Sequence, residues 1–147
     1  MFLVDTNVIS VTSPSREAPA ELIGWMDAQS ASLFLSAVTV AEIEDGIAKT
    51  RREGATRKSR NVAAWLRAVI HLYGDRILPF DTPAARIAGV LSDRARSQGQ
   101  APGLSDIIIA ATAKHHGLVV LSRNTRHFAP LGVSVLDPYH VIPPAWR

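Results

Sequence analysis

The feature that most constrains this chain is an alternation of short apolar runs with longer segments of helical periodicity. Phe2-Leu3-Val4 is typical of a short buried strand. Similar runs follow at 33–35, 77–80, 118–121 and 133–136. Strands separated by helices pair in parallel through right-handed crossovers. We therefore predict an α/β fold, a three-layer sandwich in which helices flank a parallel sheet of about five strands.

The segments between these runs carry the helical signals. Apolar residues recur at helical spacing in five segments, 20–29, 40–47, 62–70, 82–91 and 105–116. Thr82 is expected to cap the fourth helix, with Pro83 at its first position. Gly117 is expected to end the fifth helix. Pro79 lies inside the third strand run, which places that strand at an edge of the sheet.

Length and composition favour one domain. The chain has 147 residues, of which 47% are hydrophobic, so a sizeable core is possible without disulfides. Cysteine is absent, which excludes disulfides and thiolate metal ligands. No internal repeat or linker is visible. We predict a single domain over 1–147, with an irregular proline-containing tail from about residue 137.

The sequence also bears on location and on the kind of partner. No apolar run approaches the roughly 20 residues that span a bilayer, and no basic leader precedes the first apolar run. We expect a cytoplasmic protein without a membrane partner. The net charge is +3 and the isoelectric point is about 9.8, which is compatible with nucleic acid binding. A basic cluster comprises Arg51, Arg52, Arg57, Lys58 and Arg60. Such a run is by default a solvated helix face.

Three acidic residues are expected at one edge of the sheet. Asp5 directly follows the first strand, Glu42 lies near the start of the helix after the second strand, and Asp106 begins the helix before the fourth strand. Asn124 comes just after that fourth strand. Ligands of open parallel sheets bind outside the carboxyl ends of the strands. Each acid alone could be a cap or a solvated side chain, but their shared position favours a functional site.

Carboxylates held this close repel one another, and a divalent cation would remove that repulsion. The donors are all hard oxygens and cysteine is absent, so Mg²⁺ or Mn²⁺ is the expected ion. We predict Asp5, Glu42 and Asp106 as its ligands, with Asn124 as a neutral fourth ligand. Such a site lowers the pKa of a bound water and neutralises charge on a phosphodiester. These residues therefore suggest phosphodiester hydrolysis, with basic side chains holding the flanking backbone.

Five sequence blocks, in order over nearly the whole chain, resemble the PIN-domain toxins of the VapC and FitB type. The blocks are MFLVDTNVIS at 1–10, LSAVTVAEI at 35–43 with Gly46, ILPFD at 77–81, DIIIAATA at 106–113 with HGL at 116–118, and SRNTRHF at 122–128. This resemblance implies an endoribonuclease that needs Mg²⁺ or Mn²⁺. It also implies a homodimer, and a small cognate antitoxin that blocks the site.

The same resemblance assigns roles to three acidic residues, and local context suggests roles for their neighbours. Asp5, Glu42 and Asp106 match the acidic catalytic and metal-binding residues of the family. Thr6 and Asn7 are expected to hold Asp5 or a metal-bound water, or to shape a turn. The candidate substrate contacts are Thr6, Asn7, Arg123 and Arg126. Asp81 is interpreted as a cap or a strand end rather than a ligand.

Two positions depart from the family pattern. Asn124 stands where many relatives carry an acid, so we expect a second metal ion to bind weakly or only with substrate. His127 stands where relatives often have Asp, and we interpret it as a loop residue or a substrate contact.

Other functions fit the sequence less well. A dehalogenase-like phosphatase needs a second Asp at the position of Asn7. No glycine-rich phosphate loop and no nucleophile elbow is present. Two alternatives stay open, a structure-specific DNA nuclease on the same fold and a non-catalytic PIN module that only binds a partner.

Overall fold

The computed structural model describes residues 1–144. Five parallel strands form one sheet in the order β3-β2-β1-β4-β5. The strands are β1 Phe2–Val4, β2 Leu33–Ser36, β3 Ile77–Leu78, β4 Val119–Leu121 and β5 Val135–Leu136. The predicted α/β fold is confirmed, and β3 is an edge strand as predicted. β3 ends before Pro79, which has no N–H to donate to a neighbouring strand.

Seven α-helices occur within residues 1–144, and short 3₁₀ turns extend or connect several of them. They are α1 Thr6–Ile9, α2 Ala20–Ala28, α3 Ala37–Arg52, α4 Thr56–Tyr73, α5 Thr82–Ser97, α6 Leu104–His116 and α7 Thr125–Phe128. The five predicted helices correspond to α2 through α6. The sequence did not predict α1 and α7, because four residues are too few to show helical periodicity.

The start of α5 differs from the prediction. Asp81, not Thr82, is the N-cap, and its Oδ1 accepts a hydrogen bond from the backbone N–H of Ala84 at 3.1 Å. Thr82 and Pro83 are the first residues of the helix, where the missing proline N–H is not needed. The interpretation of Asp81 as a cap is confirmed. Gly117 ends α6 in the left-handed conformation, with φ of +65°, as predicted.

The sheet is buried on both faces, so its strands read as continuous apolar runs. Val4 points into a core shared with α2, α3 and α4, while the neighbouring Leu3 points into a second core shared with α5 and α6. Both side chains are completely buried. β1 is the central strand of the sheet, which places the residue after it, Asp5, at the middle of the carboxyl edge.

Residues 137–144 form turns without a helix or strand, as expected for the proline-containing tail. Tyr139 and Ile142 nevertheless pack against the core beneath α2, α3 and α4. The last part of the predicted tail, 145–147, lies outside the described residues. None of the helices within 1–144 is both long enough and apolar enough to cross a bilayer.

Candidate functional site

The position of Asp5 follows from the pairing of β1 with β4. Val4 is in register with Leu121, and the backbone N–H of Asp5 donates to the carbonyl of Leu121 at 2.9 Å. Asp5 and Ser122, the residues that follow these two strands, therefore lie side by side. Asp5 is 5% exposed and Ser122 is completely buried. The sheet register thus places a carboxylate and a hydroxyl together in a dry environment.

The Asp5 carboxylate is held by three donors. Its Oδ2 accepts hydrogen bonds from Ser122 Oγ at 2.7 Å and from Asn7 Nδ2 at 3.0 Å. Its Oδ1 accepts from the backbone N–H of Thr6 at 2.7 Å, which makes Asp5 the N-cap of α1. Asn7 is fixed in turn, because its Oδ1 accepts from the backbone N–H of Arg123 at 3.2 Å. The Asp5 side chain is consequently locked in one orientation.

Glu42 lies on α3 and is exposed. Its Oε1 accepts a hydrogen bond from Thr6 Oγ1 at 2.7 Å, and its Oε2 accepts a longer one from Ser105 Oγ at 3.3 Å. Glu42 therefore connects α1 with the first turn of α6. Both bonds come from side-chain hydroxyls, so small torsional changes can break them.

Asp106 lies in the first turn of α6, where the helix dipole favours a negative charge. Its Oδ2 is 3.0 Å from Nδ1 of His127, which comes from α7. The Asp106 side chain is 19% exposed and that of His127 is 50% exposed. Asp106 is thus oriented by an imidazole that solvent can reach.

The three carboxylates influence one another electrostatically. Burial raises the pKa of Asp5 above its ordinary value, and the negative charges of Asp106 and Glu42 raise it further. The hydrogen bonds from Ser122 and Thr6 act in the opposite direction and lower that pKa. The carboxyl edge therefore concentrates negative charge around a partly desolvated aspartate.

These carboxylates do not form a ready metal site as they stand. Within residues 1–144, no three Asp, Glu, His or Cys side chains are arranged to hold a metal ion. Each acid is instead turned toward its own hydrogen-bond donors. The donor atoms are all oxygens of the kind that Mg²⁺ and Mn²⁺ prefer.

The PIN domain family profile matches residues 2–132. The chain belongs to the PIN-domain family. It is 38% identical to Toxin FitB of Neisseria gonorrhoeae, over 95% of this chain and 99% of that protein. It is 35% identical to the VapC ribonuclease Y4jK of Sinorhizobium fredii, over 95% and 98% of the two chains. The crystal structure of FitAcB from Neisseria gonorrhoeae superposes with a TM-score of 0.83, at 38% identity, over 96% of this chain and all of that one.

The remaining predicted site residues of this PIN domain lie around the same edge. Asn124 is exposed at the start of α7, and its backbone N–H donates to Ser122 Oγ at 3.0 Å. The Arg123 guanidinium stacks over the Tyr139 ring, 4.5 Å from its centroid, so the tail orients this side chain. Arg126 is exposed and lines a cavity of about 320 Å³ together with Asp106 and His127. The structure therefore gathers all the predicted positions, with the arginines at the periphery.

Sequence reasoning assigned no role to Ser122 and Ser105, although each donates to a carboxylate of the PIN-domain site. A signal for Ser122 existed, because a polar residue directly after a strand that pairs with β1 must lie next to Asp5. For Ser105 no such signal existed, since its contact depends on how α3 packs against α6. The earlier interpretation of His127 also did not anticipate its contact with Asp106.

Proposed function

We propose that this PIN-domain protein is a Mg²⁺- or Mn²⁺-dependent endoribonuclease and the toxin of a toxin–antitoxin pair. The observation that carries the proposal is the convergence of Asp5, Glu42 and Asp106 from three elements at the carboxyl edge. The charges of the other two acids already raise the pKa of Asp5. The similarity to a protein named as a toxin and to one named as a ribonuclease supports this function.

Asp5, Glu42 and Asp106 would hold the metal ion, with the Asn124 amide oxygen as a neutral addition. The donor chemistry fits a hard divalent cation, and the positive charge would relieve the mutual repulsion of the carboxylates. The ion, when bound, would lower the pKa of a water and neutralise charge on the phosphodiester. Asn124 adds no charge, so we propose that any second ion binds weakly or only with substrate.

The other residues of the site would orient these groups and the substrate. Thr6 and Asn7 hold the carboxylates of Glu42 and Asp5 through hydrogen bonds of 2.7 and 3.0 Å. Arg123 and Arg126 project at the periphery, where a cationic side chain can bind a phosphate of the flanking RNA backbone. Tyr139 restricts the Arg123 guanidinium through its ring face.

The similarity to a protein named as a toxin supports an antitoxin as a partner. We propose that a small cognate antitoxin covers the carboxylates and that the protein acts as a homodimer in the cytoplasm. A site with this concentration of negative charge would attract a basic side chain of such an antitoxin.

The function is tested by cleavage assays with protein purified free of antitoxin. Single-stranded RNA and DNA of the same sequences are incubated with Mg²⁺, with Mn²⁺ and with EDTA. We expect RNA cleavage that needs metal and that falls about a thousandfold in Asp5→Asn and Asp106→Asn, since a metal ion contributes several kcal/mol of transition-state stabilisation. Glu42→Gln is expected to lose activity in the same way.

Glu44→Gln is the matched control, because Glu44 is an exposed acid on the same helix as Glu42. It should cut RNA at the wild-type rate. Cleavage of DNA alone would favour the DNA nuclease, and absence of any cleavage would favour the binding module. Wild-type activity in Asp106→Asn would refute the assignment of the site.

A further inference from the structure

A groove leads away from Glu42, between the segment after α1 and the helices α3 and α4. It encloses about 540 Å³. Thr6 and Glu42 line its inner end, and Arg16 and Lys58 are among the residues that line the rest. Of the three candidate acids, Glu42 therefore borders the groove, which also carries two cationic side chains.

A second cavity continues this groove. It has a volume of about 590 Å³ and shares Ser15 and Lys58 with the first. Arg57 and Asn61, in the first two turns of α4, also line it. Each cavity has the size of a small-molecule site. Together they form a trough from the candidate catalytic acids to the basic cluster, and part of that cluster therefore lines a cavity.

The charge of the trough is not neutralised within the described chain. Among residues 1–144, no ion pair involves Arg16, Arg57 or Lys58. A cationic side chain that has no internal acidic partner is available to bind an anion. Several such side chains lining one trough raise the local concentration of anions and suit a polyanion.

The walls of the trough are suited to nucleotides. Ser10, Ser13 and Thr50 line it. The Ser10 hydroxyl can bond to phosphate, ribose or base edges, whereas those of Thr50 and Ser13 are already bonded to the Gly46 carbonyl and to Ser15 Oγ. The Trp65 indole N–H donates to Thr12 Oγ1 at 3.0 Å, which fixes an aromatic ring at the wall. The ring is half-buried and packs against the core, which holds it in place at the wall.

Gly46 keeps part of the trough open. A Cβ atom built at this position meets nothing within 4 Å. Gly46 lies inside α3, where glycine is less favourable than alanine by about 0.5–1 kcal/mol. A side chain could therefore be added here without disturbing the fold, and it would project into the groove that Gly46 lines.

We propose that this trough binds the RNA strand on one side of the scissile phosphodiester, with Lys58 contacting a backbone phosphate. The proposal rests on the ribonuclease function proposed above. The cationic side chains favour RNA as the occupant, because phosphates of its backbone can neutralise their charges.

The test measures RNA binding in EDTA, so that it does not depend on cleavage. The probe is a fluorescently labelled pool of short random-sequence single-stranded RNA, and the readout is anisotropy over a range of salt concentrations. We expect Lys58→Ala to weaken binding and to make the slope of log affinity against log salt shallower by about 0.7, the value for one phosphate contact. Lys114→Ala is the matched control, because this substitution removes the same charge from α6, which lies on the other side of the sheet.

A second pair of variants tests the groove itself. Gly46→Glu and Gly46→Gln add side chains of nearly equal size, so only the charge differs. We expect Gly46→Glu to bind RNA weaker than Gly46→Gln by on the order of fivefold, through repulsion of nearby phosphates. Circular dichroism and thermal unfolding establish that each variant is folded.

Several outcomes would overturn the proposal. Wild-type RNA binding and salt dependence in both Lys58→Ala and Gly46→Glu would do so, and so would equal effects of Lys58→Ala and Lys114→Ala. Loss of antitoxin binding with unchanged RNA binding would assign the trough to a protein partner instead. A different result separates the two proposals. If Lys58→Ala and Gly46→Glu weaken RNA binding but the wild-type protein cleaves no RNA, the ribonuclease function is contradicted and the RNA-binding role of the trough is supported.

Discussion

The candidate site has two parts that are built differently. The inner cluster, formed by Asp5, Asn7 and Ser122, is held by the pairing of β1 with β4 and is largely buried. The outer pair, Glu42 and Asp106, is reached by solvent and is oriented by the side chains of Thr6, Ser105 and His127. In the inner cluster, the pairing of the strands sets where the polar groups lie. In the outer pair, the direction of each carboxylate depends on side-chain torsion angles.

This difference suggests a division of tasks. A buried carboxylate with three donors provides a fixed point, because moving it would leave several polar groups without partners. Glu42 is exposed and can rotate at small cost when a cation binds, since water replaces the bonds that it loses, and Asp106 is partly exposed.

Replacing the two serines separately gives the largest expected contrast in stability. Ser122→Ala removes a 2.7 Å bond to buried Asp5 and also leaves the Asn124 N–H without its acceptor. We expect the free energy of unfolding to fall by about 1–3 kcal/mol. Ser105→Ala removes a 3.3 Å bond to exposed Glu42 and should change it by less than about 0.5 kcal/mol. Urea denaturation measures both, and equal losses would contradict the distinction between the two parts.

The inner cluster could be predicted better than the outer pair. Asp5 follows an apolar strand directly, so its place at the carboxyl edge depends only on the α/β pattern and the parallel sheet. Even Ser122 could have been inferred from the pairing of the first and fourth strands. The register, with Val4 opposite Leu121, leaves the following residues adjacent.

The outer pair depends on packing that no local pattern encodes. The contact of Glu42 with Ser105 needs α3 and α6 to meet, and that of Asp106 with His127 needs α7, a helix of four residues. The cap of α5 shows a similar limit, because Asp81 and Thr82 are both good capping residues. Only the path of the chain after β3 selects Asp81.

His127 offers a way to change the outer pair without removing an acid. In the proposed metal site, His127 would orient Asp106 through the 3.0 Å contact at Nδ1. We expect His127→Leu to lower the affinity for Mn²⁺ about tenfold, as is usual when a group that orients a ligand is removed. His127→Asn places an amide donor near the former Nδ1 and should retain most of the affinity.

Calorimetric titration with Mn²⁺ provides the measurement for His127, and urea denaturation without metal provides the control. Both variants should unfold at nearly the wild-type urea concentration, since the His127 side chain is half exposed. Equal Mn²⁺ affinity in the wild type and His127→Leu would show that His127 does not orient Asp106 for metal binding. The distinction between an inner cluster fixed by the backbone and an outer pair oriented by side chains would then fail for Asp106.

The smallest expected effect is a pH dependence that arises in the inner cluster. Burial, together with the charges of Asp106 and Glu42, raises the pKa of Asp5 in the folded protein. The pKa of an aspartate in an unfolded chain is about 3.9. Because the folded state then holds its proton more tightly, protonation of Asp5 stabilises the fold. That contribution is fully present below the unfolded pKa and is lost as the pH rises through the folded pKa.

Comparison with Asp5→Asn isolates this contribution, since asparagine does not titrate. In EDTA, the stability of the wild type relative to Asp5→Asn should decline as the pH rises from the ordinary aspartate range toward neutrality. Thermal unfolding at a series of pH values measures the difference, and the unrelated titrations of other groups cancel in it. A difference that rises with pH would mean that the donors from Ser122 and Thr6 outweigh burial. The inner cluster would then stabilise its charge even before a metal ion binds.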